Sequence, residues 1–345
     1  MPWETLVERP SGPLDDVGPE VLDRLFGELQ IEAEWGVRDG RAFTWWPWAM
    51  AVRVEASEPG VAFGDPMVRV RAEADVLRGV TAGEDLVLAT LSLVNTHASL
   101  ASFVWDPDRA SVTAVTTAYL YRGNLTFLPV LSTAILLTTS EAHARAPRLA
   151  GVLGGEPATS ARPGSPLRNR ADDLLSIPAE VVPREGAGPS RFLGAMAEAV
   201  MPPTIAWCMT TVSREGFTGE LPFFGTVPAS VAAMTGEELG QTALVQYWAV
   251  RHPSYGSGLV MVMRLPVEFG ASEEVRRVAN DLNRAEATTP TGFPLMGAWC
   301  EDPRVEVPTL SFVTFVPSLL ARPGLVATLS FYLQLRCWWA RARLA

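Results

Sequence analysis

Few residues in this chain could do chemistry: three histidines, His97, His143 and His252, three cysteines, Cys208, Cys300 and Cys337, and some closely set carboxylates. The histidines are far apart and none stands in an HExxH or HxH arrangement, so no metal is expected. His97 and His143 read as residues near helix ends, and His252 as part of the loop "RHPSYGSG". Ser257 in "YGSGL" misses the G-x-S-x-G spacing because Tyr255 stands two places before it, which leaves a turn rather than a nucleophile. Asp106 and Asp108 flank Pro107, and Asp302 precedes a proline in a similar run; carboxylates in such places ordinarily serve turn geometry. Asn95 and Asn283 suit helix closure or a buried hydrogen bond.

The chain contains no lysine. A Walker A loop, a pyridoxal Schiff base and a Ser-x-x-Lys hydrolase are therefore all excluded. With no catalytic set and no cofactor fingerprint, the expectation is a protein that is not an enzyme and takes no cofactor.

At 345 residues with 48% hydrophobic content, the chain can bury a sizeable core. A formal net charge of −10 argues against a nucleic-acid partner or an anionic membrane surface. The cysteines form neither a disulfide framework nor a C-x-x-C pair, which fits a reducing cytoplasm. "MPWETLVERPSGPLDD" lacks the basic-then-apolar order of a signal peptide. The apolar runs "LTFLPVLSTAILLTT" and "GLVATLSFYLQLRCWW" are shorter than the roughly 20 residues of a bilayer span, so both read as core helices.

After an arm over 1–17, Gly18 and Pro19 open a helix with Val21, Leu22, Leu25, Phe26 and Leu29 at helical spacing. "IEAEWGV" and "RAFTWWPWAMAVRVE", joined by "RDG", read as a hairpin, and "MVRVRAEADVL" as a third strand. A helix follows with Val87, Leu91, Val94 and Ala98 on one stripe, then two strands about the "WDPDR" turn, and a long helix over 124–146. Counting alternation through "TWWPWAM" puts Trp46 and Trp48 inward and Trp45 outward with Pro47. Burying an indole contributes on the order of 4–6 kcal/mol as an upper bound, so the inward pair needs no ligand to explain it.

Residues 147–189 turn rich in Pro, Gly, Ser and Arg and read as a linker, with a short helix at "ADDLLSI". Beyond it a similar order returns over 190–345: a helical start at "RFLGAMAEAVM", a strand at "TIAWCMTTVS", the pair "TALVQYWAVRH" and "GLVMVMRLPVEF", and a helix with Val275, Val278, Ala279 and Leu282 on one face. "DLNRAEA" echoes "LVNTHA", and "GAWCEDPR" echoes "SFVWDPDR". The predicted fold is α+β, with two tandem copies of an α-β3-α-β2-α unit, at 18–146 and 190–345, each an antiparallel sheet with helices packed on one face. On the last helix, Trp338 and Trp339 suit a contact with the other copy.

The element order, the "TWWPW" run, and a helix ending in Leu or Val before Asn and followed by an Asp-Pro turn resemble the superfamily of type III secretion chaperones and YbjN-like proteins. Within it the chain is most similar to the actinobacterial TY-Chap group. The second copy departs from the pattern: it lacks the "TWWP" run and adds a segment around "VPASVAAMTGEEL". The resemblance implies a curved five-stranded sheet and a chaperone-like or adaptor role. It also implies that the chain, as a monomeric pseudo-dimer or a homodimer, holds an extended client polypeptide or a partner subunit. Joining two copies by a linker would replace association by a high effective concentration. The residues expected to bind are Trp45 and Pro47 in the first copy and Phe223 and Trp248 in the second. Two other readings stay open: a small-molecule sensor or enzyme with its cleft between the copies, and a structural subunit of a larger complex.

Overall fold

The computed structural model of the chain describes residues 15–62, 65–175, 208–212, 216–222, 241–252, 255–317, 320 and 323–344. Among them are five α-helices and two antiparallel sheets, so the fold is mixed α+β. The first part runs α1 (Gly18–Glu28), β1 (Gly36–Asp39), β2 (Ala42–Trp45), β3 (Val52–Ala56), β4 (Gly60–Ala62), β5 (Asp65–Arg78), α2 (Glu84–Asn95), β6 (Ser102–Asp106), β7 (Ser111–Leu120), α3 (Leu128–Leu153) and β8 (Glu156–Pro157). The rest runs β9 (Cys208–Val212), β10 (Gly216–Pro222), β11 (Thr242–His252), β12 (Gly256–Arg264), α4 (Ser272–Thr288), β13 (Ala298–Glu301), β14 (Leu310–Pro317) and α5 (Pro323–Leu344).

The first sheet has eight strands, with the path β1-β2-β3-β5-β7-β6 and with β4 and β8 both pairing β5. The second has six, in the order β13-β14-β12-β11-β10-β9. Neither is the five-stranded sheet the family resemblance implied. In the first sheet, four strands of the path precede α2 rather than three, because the run read as one strand from 41 to 55 is two. Pro47 has no N–H to give a ladder, and the pairing stops at Trp45 and resumes at Val52.

Chain packing divides the protein into two compact units, and neither is continuous in sequence. Unit 1 comprises Met1–Val87, Leu100–Pro178 and Asn283–Met296; unit 2 comprises Leu88–Ser99, Ala179–Leu282 and Gly297–Ala345. The division falls inside α2, after Val87, and inside α4, after Leu282. Each unit thus includes a helix end and the loop after it that sequence order would assign elsewhere.

In unit 1, β5 alternates cleanly: Val68, Val70, Ala72 and Ala74 are buried, while Arg69, Arg71, Glu73 and Asp75 are only partly covered. The apolar face packs on α3, whose Leu131, Ala134, Ile135 and Leu149 are buried. Every residue of β7 is buried, so both of its faces are covered. The second cover is the 283–296 segment. Thr117 N–H donates to the Leu295 carbonyl at 3.1 Å, Leu295 N–H returns to Thr117 Oγ1 at 2.9 Å, and Thr291 N–H reaches Tyr119 Oη at 2.7 Å. Arg69 closes the helix end, donating from Nη2 to the Glu286 and Ala287 carbonyls at 3.0 and 2.6 Å. A cation on the last carbonyls satisfies orphan acceptors and opposes the negative end of the helix dipole.

In unit 2 a helix covers one face of the second sheet. Tyr247 Oη donates to Ser330 Oγ on α5 at 2.8 Å, which marks the helix-covered face of β11, and Tyr247 stacks on Phe217 at 4.1 Å. The opposite face is covered at β13 and β14 by the 88–99 segment. Ser99 Oγ donates to the Phe315 carbonyl at 3.0 Å, and Glu301 N–H to Ser92 Oγ at 2.8 Å. Among the described residues one helical run, Arg122–Leu153, is long and apolar enough to cross a membrane by length and composition, and its apolar window is half buried in unit 1.

Candidate functional site

Two open stretches of sheet remain beside these covers, and they differ in chemistry. On the first sheet, rows across β3 and β5 alternate in charge: Arg53 lies opposite Glu73 and Glu55 opposite Arg71. Arg71 pairs with Glu73 at 2.6 Å and Glu55 at 3.7 Å, and Arg53 with Glu55 at 3.2 Å. On the second sheet the face that carries Trp248 is mixed: Leu244, Gln246, Trp248 and Val250 on β11 lie opposite Arg264, Val262, Val260 and Gly258 on β12. Trp248 is half-buried on β11, opposite Val260 on β12, with Leu244 and Val250 on the same side of β11. Trp248 and Val260 pack against a buried cluster of Val262, Cys300 and Val313. Gly216 lies across from Trp248, and a Cβ there would run into the Tyr247 carbonyl oxygen and come within 2.8 Å of the indole Cδ1, so the backbone of β11 itself demands glycine.

The guanidinium of Arg304 sits 5.0 Å from the Trp248 ring centroid. Asp302 aims it, accepting from Arg304 Nε at 2.7 Å and Nη2 at 2.9 Å, and from Arg264 Nε at 2.6 Å. Burial alone would raise the Asp302 carboxyl, but these charged hydrogen bonds outweigh it and hold the group below its ordinary value. The side chain is fully enclosed, with its oxygens engaged by two cations.

Of the residues expected to bind, Trp248 alone combines a described position with partial exposure. Trp45 corrects the expectation: it is 0% exposed, and Trp46 is 6% exposed, so both are inward. Alternation cannot be counted through Pro47, because 46–51 is a loop between two strands. Pro47 is itself buried, and its carbonyl accepts from Asp172 N–H at 2.7 Å. Phe223 lies outside the described residues.

What encloses the Trp loop is the first part of the Pro/Gly/Ser/Arg-rich stretch. Ser160 N–H donates to the Ala49 carbonyl at 2.9 Å, Arg168 Nη1 to the Trp46 carbonyl at 3.0 Å, and Arg168 Nη2 to Glu32 at 3.1 Å. Arg168 also lies over the Trp35 ring at 4.9 Å and pairs with Asp172 at 3.2 Å. Residues 158–175 are a strap that satisfies loop carbonyls which a proline-broken ladder leaves open. Its composition resembles a tether, so sequence reasoning had no local signal for it.

The remaining candidates resolve into structural roles. His252 is 6% exposed at the end of β11, a correction to its reading as a loop residue. Its Nδ1 accepts from Tyr255 N–H at 3.2 Å, which assigns the proton to Nε2 and makes that nitrogen the donor to the His97 carbonyl at 2.8 Å. His143 packs edge-on to Trp48 at 4.1 Å, and desolvation lowers its pKa. Asp106 Oδ1 accepts from the Asp108 and Arg109 N–H groups, the turn role expected. Asn95 and Asn283 are buried. Ser257 lies within β12, away from any strand-to-helix elbow. Burial raises the Cys300 thiol and pushes that of Cys337 up to about 12. No group of metal-ligating side chains occurs among the described residues. Compared with models of protein families, with curated proteins and with solved structures, the chain matches none.

Proposed function

We propose that this chain is a non-enzymatic, chaperone-like or adaptor protein that holds a client polypeptide. Its two sheets are taken to be tandem copies of one unit that together act as a single-chain pseudo-dimer. The shared strand order of the two six-strand paths, each with a helix inserted before the last two strands and a long helix after them, supports the duplication. The observation that carries the binding role is Trp248. It is a half-buried indole opposite Val260, with Val250 and Gln246 as its same-face neighbours on β11 and Arg304 beside its ring. Aromatic side chains set in apolar surroundings with a cation beside them dominate recognition energetics. Cytoplasmic residence belongs to the same proposal, supported by the buried Cys300 thiol, which forms no disulfide.

Affinity capture of the full chain from its native host, followed by mass spectrometry, tests the reading. One polypeptide should co-purify with the wild type and be lost with Trp248→Ala, while Trp338→Ala on α5 retains it. A bound metabolite in place of a polypeptide, or equal capture by both variants, would overturn the proposal.

A further inference from the structure

The strap over the Trp loop is held at two points. Ser160 N–H donates to the Ala49 carbonyl, and Arg168 donates to the Trp46 carbonyl, Glu32 and Asp172. Between these anchors residues 161–167 make a single hydrogen bond among the described residues, from Ser165 N–H to the Arg162 carbonyl at 3.0 Å. With Pro163 in second place and Gly164 third at φ +77°, that bond closes a type II turn. Pro163, Gly164, Pro166 and Leu167 are exposed, and a Cβ on Gly164 would meet nothing within 4 Å, so the turn stands out in open space.

The tip and its second anchor read "RPGSPLR" over 162–168, and Ser165 is the only hydroxyl in it. An arginine three places before a serine and a proline directly after it are the charge and backbone features by which serine kinases select substrates. The tip can extend into such a groove by giving up one hydrogen bond, while Ser160 and Arg168 keep their own. We propose that Ser165 is a phosphorylation site for an arginine-directed serine kinase, and that its phosphate releases the strap. Ser165 Oγ attacks the γ-phosphorus of ATP, the bond to ADP breaks as the new O–P bond forms, and the hydroxyl proton goes to the kinase's base. The product carries a charge of about −1.5 to −2 three residues before Arg168. The arginines on that side are already paired, Arg168 with Glu32 and Asp172 at 3.1 and 3.2 Å and Arg170 with Asp173 at 3.2 Å. The added anion therefore repels those carboxylates and competes with them for Arg168, and both effects weaken the hold on the Trp46 carbonyl. Release uncovers Trp46, whose indole N–H donates to Ser160 Oγ at 3.4 Å. Ser165 belongs to unit 1 and Trp248 to unit 2, and the phosphorylation stands whether or not a polypeptide binds at Trp248.

The test incubates the full chain with native-host lysate and magnesium ATP, then locates phosphate by tandem mass spectrometry. A synthetic peptide of residues 158–170 is run alongside. Phosphate is expected at Ser165 of the wild type and at none of its tip positions in Ser165→Ala. Arg162→Gln, which keeps the serine and removes the charge a kinase would read, should lower labelling at Ser165 about tenfold. In limited chymotrypsin digestion the phosphorylated chain should be cut at Trp46 or Trp48 about tenfold faster than the unmodified chain, because the strap opens more often. A labelled peptide beside an unlabelled chain would show the serine inaccessible, and no label on either would show that no host kinase reads it; each result overturns the site. Labelling that Arg162→Gln leaves unchanged overturns the kinase class, and equal cleavage with and without phosphate overturns the release.

Discussion

Thr117 and Leu295 hydrogen-bond to each other in both directions, Thr117 through its N–H and its hydroxyl, Leu295 through its carbonyl and N–H, across 178 positions of sequence. Both residues belong to unit 1, so the second half of the chain supplies part of the covering of the first sheet. Thr117→Val keeps the shape and removes Oγ1, which leaves the buried Leu295 N–H without an acceptor. An unsatisfied buried donor costs about 1–3 kcal/mol. Urea unfolding should show that loss for Thr117→Val and almost none for Thr117→Ser, with m unchanged in both.

Trp45 and Trp248 should separate stability from binding. Trp45 is among the largest fully buried side chains, and Trp45→Ala is expected to cost about 3–5 kcal/mol. Its indole N–H has no hydrogen-bond partner among the described residues, so Trp45→Phe discards a donor unmet there and should cost less than about 1.5 kcal/mol. Trp248→Ala is half-exposed and should lose less than Trp45→Ala in thermal or chemical melts while abolishing client capture. Equal losses of stability at 45 and 248 would contradict the placement.

Arg168 holds the strap by hydrogen bonds to the Trp46 carbonyl, Glu32 and Asp172. Removing it with Arg168→Ala should open residues 158–175 locally before the fold as a whole unfolds. Limited chymotrypsin digestion is the direct readout, with new cleavage near Leu167 and at Trp46 or Trp48 appearing in the variant. Charged hydrogen bonds contribute about 1.5–3 kcal/mol each, so a loss of about 2 kcal/mol in global stability is expected as well.

Asp302 makes stability depend on pH in a definite direction. Its folded pKa is depressed, so its contribution is fully present above the ordinary carboxylate pKa and is lost as pH falls through the lower folded value. Asp302→Ala leaves Arg264 and Arg304 without their shared partner and should cost about 3–5 kcal/mol at pH 7. The gap between wild type and variant should narrow as unfolding is measured from pH 5 down to pH 2. A gap that stays constant over that range would show that the carboxylate charge contributes nothing.

Local periodicity determined a good part of this fold. The alternation of "MVRVRAEADVL" is the two-faced β5, the stripe of Val275, Ala279 and Leu282 is the buried face of α4, and Asp106 closes its turn through two backbone N–H groups. These features follow from contacts within a few residues, which a 2.0 or 3.6 repeat encodes directly.

Tertiary structure alone decided where Trp45 points, what holds the loop after it, and which helix ends cover which sheet. Pro47 interrupts the ladder, so the count that placed Trp45 outward no longer applied beyond it, and the loop carbonyls found donors at Ser160, Arg168 and Asp172, more than 110 positions away. Arg69 reads in sequence as one more solvated charge on an alternating strand. Only folding brings the carbonyl end of α4 to it. A sequence pattern reports the period of a segment, whereas the partner that satisfies a buried polar group is fixed by the whole path of the chain.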